Sequence, residues 1–224
     1  DSGGANLPNQ DEVFPDRAGF NTTSPSWHAG KAGPCPPTAW LAFIEGLHPS
    51  YPQQMIEETH TGILQSLDRL YADDSDPETR ECYHFHNLNP VVPEGLLQMS
   101  MGTPAAMYNG GLLLSHVRYF DPMLKRPGLP RHVAVLAEHV TADSIDLTFV
   151  NTDPVSSHRV LIQAGTFAEH EFTGASLDGE DIALDERHVC IELDRSAKAH
   201  LHLKLKRFAH RPTYDLPDYD SAAS

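Results

Sequence analysis

Near residue 130 the hydrophobic period of this chain changes from helical to strictly alternating, and that change restricts the fold more than any other feature. The segments VAVLAEHV (133–140), SIDLTFVN (144–151), HRVLIQAG (158–165), FAEHEFTG (167–174), HVCIELD (188–194) and KAHLHLKLKRF (198–208) all read as strands. Their joints carry turn chemistry: Thr141-Ala142-Asp143, Asn151-Thr152-Asp153-Pro154, Ala164-Gly165, Leu177-Asp178-Gly179 and Asp194-Arg195-Ser196. Closely spaced strands joined by tight turns predict an antiparallel β-sandwich of six to eight strands over 131–212. In the last strand Leu201, Leu203 and Leu205 should face the core, and His200, His202, Lys204 and Lys206 the solvent.

The front half follows the helical period. Thr38 is placed to cap AWLAFIEGL (39–47), Pro49 and Pro52 then interrupt the chain, and QQMIEETHTGILQSLDRLYA (53–72) follows. In the second segment Met55, Ile56, Ile63, Leu64, Leu67 and Leu70 recur at helical spacing, with Glu57, Glu58 and Asp68 on the other side. Two helices alone cannot bury so wide an apolar side, so the hairpin calls for a partner. Ahead of it, residues 1–37 read as an irregular arm rich in Gly, Pro, Asn and Ser, with an Asn21-Thr22-Thr23 sequon. Residues 38–130 form the helical segment and a polar junction, and 213–224 read as a loose tail. The fold class expected is therefore α+β, a short helical hairpin front followed by a C-terminal antiparallel β-sandwich. The opening Asp1-Ser2-Gly3-Gly4 lacks Met, as expected of a processed product or a piece of a longer chain.

Charge and composition exclude several classes. The net charge is −15 with histidines neutral, and the only basic run is Lys204, Lys206 and Arg207, which argues against nucleic-acid binding through phosphates. No apolar run approaches the ~20 residues of a membrane helix, so a soluble protein is expected. Protonating all 14 histidines would cancel almost the whole net charge, making solubility steeply dependent on pH. Cys35, Cys82 and Cys190 form no CxxC; they are read as buried thiols, with a Cys35–Cys82 disulfide as the alternative. No GxSxG, HExxH, P-loop or GxGxxG occurs, which removes serine-hydrolase, zincin and nucleotide readings.

The residues able to carry chemistry concentrate in the junction, 83–121. His84 and His86 flank Phe85, so an extended backbone puts both imidazoles on one side. With Glu94 as third ligand they make a candidate site for a divalent metal, and one of them or Glu94 is a candidate acid or base; the alternative, with no cofactor, is histidines making ordinary hydrogen bonds at a domain junction. The set resembles the His-x-His…Glu pattern of cupins, although the acid lies further downstream than cupins place it. Tyr108 is a candidate proton donor or stacking platform, and Asn109, beside Gly110 and Gly111, a candidate hydroxyl or carboxylate binder. His116 and Arg118 are candidate substrate-binding residues, with an Arg118–Asp121 clasp as the structural alternative. A glycosidase pair would join Glu94 to Glu45, Glu57 or Glu58.

The order of parts carries a resemblance. A helix hairpin, the junction NLNPVVPEGLLQMSMGTPAAMYNGGLL, the segment VRYFDPMLKRPGLPRHVAVLAEHV and a sandwich ending LKLKRFAHRPTY resemble the C-terminal end of multidomain carbohydrate-active enzymes. In those enzymes an (α/α) toroid bears the active site and a β-sandwich closes one side. The resemblance covers roughly residues 38–212 and implies a glycoside hydrolase or polysaccharide lyase, with the junction lining a sugar cleft. A toroid needs more helices than this chain has, which implies a C-terminal portion or a subunit completed by another protein chain or an N-terminal domain. The reading from a different class is a non-catalytic accessory or assembly subunit that binds partner chains. A metal-dependent cupin-like enzyme is the third.

Overall fold

The computed structural model describes residues 37–81, 84, 88–90, 94–103 and 115–219. Among the described residues three helices precede nine strands: α1 (Pro37–Ile44), α2 (Tyr51–Ala72), α3 (Glu94–Met101), β1 (Val117–Asp121), β2 (Arg126–Pro127), β3 (Val133–Val140), β4 (Ser144–Asn151), β5 (His158–Ala164), β6 (Glu171–Leu177), β7 (Glu180–Asp181), β8 (His188–Leu193) and β9 (Lys198–Lys206). The strands make two antiparallel sheets, one ordered β2-β1-β5-β8 and the other β3-β4-β9-β6-β7. The fold is thus α+β with a sandwich-like pair of sheets behind a helical front.

The alternation in sequence becomes the core. Ile145, Leu147 and Phe149 of β4 and Leu201, Leu203 and Leu205 of β9 are buried, as are Val160 and Ile162 of β5 and Val189, Ile191 and Leu193 of β8. Each such side chain contributes roughly 1.5–3 kcal/mol by leaving water. On the other face of the five-stranded sheet, His200 and His202 point outward as expected, yet both are engaged. His200 Nδ1 lies 2.9 Å from Thr148 Oγ1, and His202 Nδ1 is hydrogen-bonded to Asp146. Cys190, expected to be buried, stands exposed on β8 outside any disulfide, whereas Cys35 and Cys82 lie outside the described residues.

Several boundaries differ from the sequence expectation. The sandwich starts before residue 131, because β1 pairs with β5 in register Val117↔Ala164 through Phe120↔Leu161. The second helix begins at Tyr51 with Pro52 in its first turn, where the missing N–H has no intrahelical partner to lose. The polar junction holds a further helix, α3, beyond the two-helix hairpin expected of the front. Residues 167–170, read as the start of a strand, form a loop in which Ala168 takes a φ of 54°. The C-terminal segment, expected to be loose beyond Pro212, is tied down as far as Tyr219, which is 8% exposed and packs on Phe120 and Leu161.

The helices pack as a layer against the five-stranded sheet. Both α1 and α3 lie against β3, and α2 packs on α3. Trp40, Phe43 and Tyr51 cluster between α1 and α2, with the Phe43 and Tyr51 rings stacked at 5.3 Å. The Tyr51 hydroxyl donates to Gln98 Oε1 at 2.6 Å, tying α2 to α3. Among the described residues no helix is long and apolar enough to cross a membrane.

Candidate functional site

The seam between helices and sandwich is built around buried polar side chains. Ser115, His116, Gln163, Thr166, Glu169 and His170 are each at most 5% exposed. They come from the lead-in to β1, from β5, and from the loop before β6. Buried polar groups need partners, and here most of the partners are backbone groups of the surrounding loops. The Ser115 and Thr166 hydroxyls hydrogen-bond to each other. Gln163 Nε2 donates to the carbonyl oxygens of Gly165 (3.2 Å) and Thr166 (3.0 Å).

His116 is the hub of the seam. Its ring nitrogens lie 2.9 Å from Gly102 O and 2.7 Å from Thr141 O, bridging the end of α3 to the β3–β4 turn. Its own amide donates to Met101 O, and its carbonyl accepts from Gly165 N. Burial pulls the His116 pKa below the ordinary histidine value, while the two carbonyl acceptors pull the other way. Carbonyls only accept, so both ring bonds exist together only in the imidazolium, whereas burial favours the neutral ring with one donor.

Glu169 and His170 sit beside it in the loop. Glu169 Oε2 accepts from Phe167 N at 2.7 Å, whereas Oε1 has no hydrogen-bond partner among the described residues. His170 Nδ1 accepts the Phe208 amide at 3.1 Å, which puts the ring proton on Nε2; that nitrogen is likewise buried without a partner, 3.9 Å from Glu169 Oε1. Burial, with the Arg207 guanidinium adding repulsion, lowers the His170 pKa to about 4. The chain leaving β9 closes this corner: His210 N donates to Glu169 O and Thr213 N to Phe167 O, while Phe208 meets the His170 ring edge-on at 4.9 Å.

Of the residues singled out from sequence, His116 and Arg118 belong to the seam. Arg118 Nη1 donates to Thr166 O at 3.1 Å and its guanidinium lies 5.0 Å over the Phe120 ring. The Arg118–Asp121 clasp does not form; Asp121 is approached instead by Arg126 at 3.6 Å, because strand residues three apart face opposite ways. His84 sits apart, with Nε2 3.0 Å from Asp73 Oδ1 and 3.2 Å from Ser75 Oγ, and Arg80 pairs with the same aspartate at 3.0 Å. Hydrogen bonding from Ser75, with His84 adding, holds the Asp73 carboxyl below its ordinary range. His86, Tyr108 and Asn109 lie outside the described residues, and Glu94 is placed by its backbone alone at the start of α3. Among the described residues no group of three or more His, Cys, Asp or Glu side chains is arranged to hold a metal ion.

The carboxylates considered as a glycosidase pair occupy different settings. Glu45 is exposed in the turn after α1, and Glu57 is exposed on α2, where it accepts from Gln53 Nε2 at 2.8 Å. Glu58 is half-buried, its Oε2 has no hydrogen-bond partner among the described residues, and desolvation raises its pKa to about 7. A carboxyl so tuned holds or releases a proton near neutral pH, the property a general acid requires.

Sequence reasoning missed Glu169, His170, Ser115 and Thr166. The run Phe167-Ala168-Glu169-His170-Glu171-Phe172 alternates well enough to pass for a strand, although its three consecutive ionisable residues are unusual between two apolar strands. Residues 17–97 match a family model described as a domain of unknown function (DUF8034), which reaches into α3 and includes no strand of the sandwich. No curated protein and no solved structure matches the chain.

Proposed function

We propose that this chain is the C-terminal portion or a subunit of a carbohydrate-active enzyme, a glycoside hydrolase or polysaccharide lyase. Its helical front and the 83–118 junction line the sugar cleft. The observation that carries this reading is Glu58, a half-buried carboxyl with a pKa near 7 on the helix that leads into the junction. In this role Glu58 serves as the proton donor to the leaving oxygen, and the junction residues His84, His86, Glu94, Tyr108 and Asn109 bind the glycan or complete the acid–base set. The order of parts, a helical layer seated on a two-sheet sandwich, agrees with the resemblance in sequence.

Purified protein incubated with a panel of polysaccharides tests this, with reducing ends read for hydrolysis and unsaturated uronates for elimination. Turnover that falls by about a hundredfold in Glu58→Gln, and more than about tenfold in Tyr108→Phe, is expected. Turnover unchanged in both variants, or found with no member of the panel, defeats the reading.

A second reading, a non-catalytic assembly subunit, is favoured by how fully two candidate residues are occupied. His84 is committed to Asp73 and Ser75, and both ring nitrogens of His116 are enclosed by backbone carbonyls. On this reading His84→Ala and His116→Asn change stability and assembly and leave no catalytic signature.

A further inference from the structure

Helix α2 carries more apolar surface than the fold uses. Its buried side is formed by Tyr51, Pro52, Met55, Thr59 and Ser66. A second stripe, rotated by about a quarter-turn, runs Ile56, Ile63, Leu64, Leu67, Leu70 and Tyr71. Within it Ile56 is 37% exposed, Leu64 48%, Leu70 43% and Tyr71 84%. These side chains cover about 22 Å of helix, at 1.5 Å per residue. Scattered apolar residues on a surface are ordinary, but a helical stripe of six interrupted by the exposed His60 alone is not. The edge of the stripe away from the protein body is acidic, with Glu57 and Asp68 exposed, and the helix runs into Asp73, Asp74 and Asp76.

We propose that this stripe is a docking surface for an amphipathic helix of a partner segment or chain, one with an apolar seam and Lys or Arg along the flank that meets Glu57 and Asp68. It rests on the reading of this chain as part of a larger assembly, which both functional readings share. Charge decides among occupants. A second copy is disfavoured on a chain of net charge −15, since an antiparallel two-fold pair of α2 helices sets the two acidic flanks side by side. The 1–36 arm is acidic on balance and interrupted by Pro8, Pro15, Pro25, Pro34 and Pro36, so it has neither a helical seam nor a basic flank. A basic amphipathic helix satisfies both the apolar and the electrostatic side, and it continues the helix-on-helix layer that α1, α2 and α3 begin.

The test uses the intact chain and two labelled synthetic helices of about 20 residues with the same leucine seam, one flanked by lysines and one by glutamates, titrated by fluorescence anisotropy. The lysine-flanked helix should bind at least about tenfold more tightly than its twin, and the preference should shrink as salt rises from about 0.05 to about 0.5 M. Leu64→Ser and Tyr71→Ser each should cost at least about tenfold in affinity; both sites are exposed, so circular dichroism should stay native. Equal binding of the two helices, no saturable binding, or binding retained in both serine variants overturns the proposal. So does a concentration-dependent dimer abolished by Leu64→Ser, which assigns the stripe to a second copy. The titration contains no glycan, so its failure is distinct from a failure of the Glu58→Gln turnover assay.

Discussion

His116 Nδ1 lies 2.9 Å from the carbonyl oxygen of Gly102, and the same ring, together with Ile145 Cδ1, crowds the place where that glycine would carry a side chain. Gly102 takes a φ of +65°, and a Cβ built there falls 2.9 Å from Ile145 Cδ1 and 3.0 Å from His116 Nδ1. Helix end, imidazole and sheet are thus locked at one point. A parallel arrangement holds at Gly165, with a φ of +81°, where a Cβ would fall 2.5 Å from the Glu169 carboxyl carbon.

Gly102→Ala and Gly165→Ala should each destabilise the protein by about 2–3 kcal/mol, from left-handed strain together with the clash. Urea unfolding followed by circular dichroism measures this. Gly62→Ala, with nothing within 4 Å of its added Cβ in mid-helix, is the control and should stabilise by up to about 1 kcal/mol. Equal effects at all three positions would dismiss the seam as a lock.

Stability should fall on acidification through the histidines buried as neutral rings. The folded pKa of His170 is about 4 against an ordinary 6.5, so between these values the unfolded chain binds a proton that the folded chain refuses. Stability is then complete above about 6.5 and is lost as pH falls towards about 4, by up to about 3 kcal/mol. Protonation also fills Nδ1, the acceptor of the Phe208 amide. Thermal melts across this window should show a shallower decline in His170→Asn, whose amide oxygen still accepts that bond. An unaltered slope would mean that other groups carry the acid sensitivity.

Glu58 works in the opposite sense. Its folded pKa is raised from 4.5 to about 7, so the folded state holds a proton that the unfolded state gives up, and stability falls as pH climbs from about 4.5 to about 7. Discounted for partial exposure, Glu58→Gln should gain about 1 kcal/mol at neutral pH, roughly 2–4 °C in melting temperature. On the proposed function, the same substitution should lower glycan turnover about a hundredfold. A more stable and inactive variant is the signature of a residue kept for chemistry at a cost to the fold. A more stable variant of full activity would confine Glu58 to packing.

The C-terminal segment should behave as part of the fold. Tyr219 meets Phe120 edge-on at 6.1 Å and covers Leu161, and without it Phe120 and Leu161, now 1% and 3% exposed, would face water. Tyr219→Ala should cost about 2–3 kcal/mol, and truncation after Pro212 more, since it also removes the Thr213–Phe167 backbone bond and the Tyr214–Phe167 ring contact. Wild-type stability after truncation would show that the tail contributes nothing.

The strands were most legible where one face alone meets the core, as in β8 and β9, because burial there writes a two-residue period into the chain; β5, buried on both faces, reads as an apolar run. The bounds expected for VAVLAEHV and SIDLTFVN are those of β3 and β4. The stretch before Phe172 was not legible for the same reason. Its alternation is imposed by a loop folding over Glu169 and His170, and pattern alone does not separate that from a strand. Within the junction, sequence picked out His116 and Arg118. It missed the groups they meet, because Thr166 and Gly165 are distant in sequence and arrive only when β1 pairs with β5.

By itself the sequence determined the α+β class, the inward faces of the strands, the acidic charge and the helical character of the front. All of these are local periodicities or sums over residues. Only the tertiary structure decided which sector of α2 is buried, that His116 joins the end of α3 to the β3–β4 turn, that His170 receives the Phe208 amide, and that Tyr219 closes over Phe120. A pattern along the chain records that a side chain avoids water; the partner it avoids water against comes from another part of the chain, and only packing brings the two together.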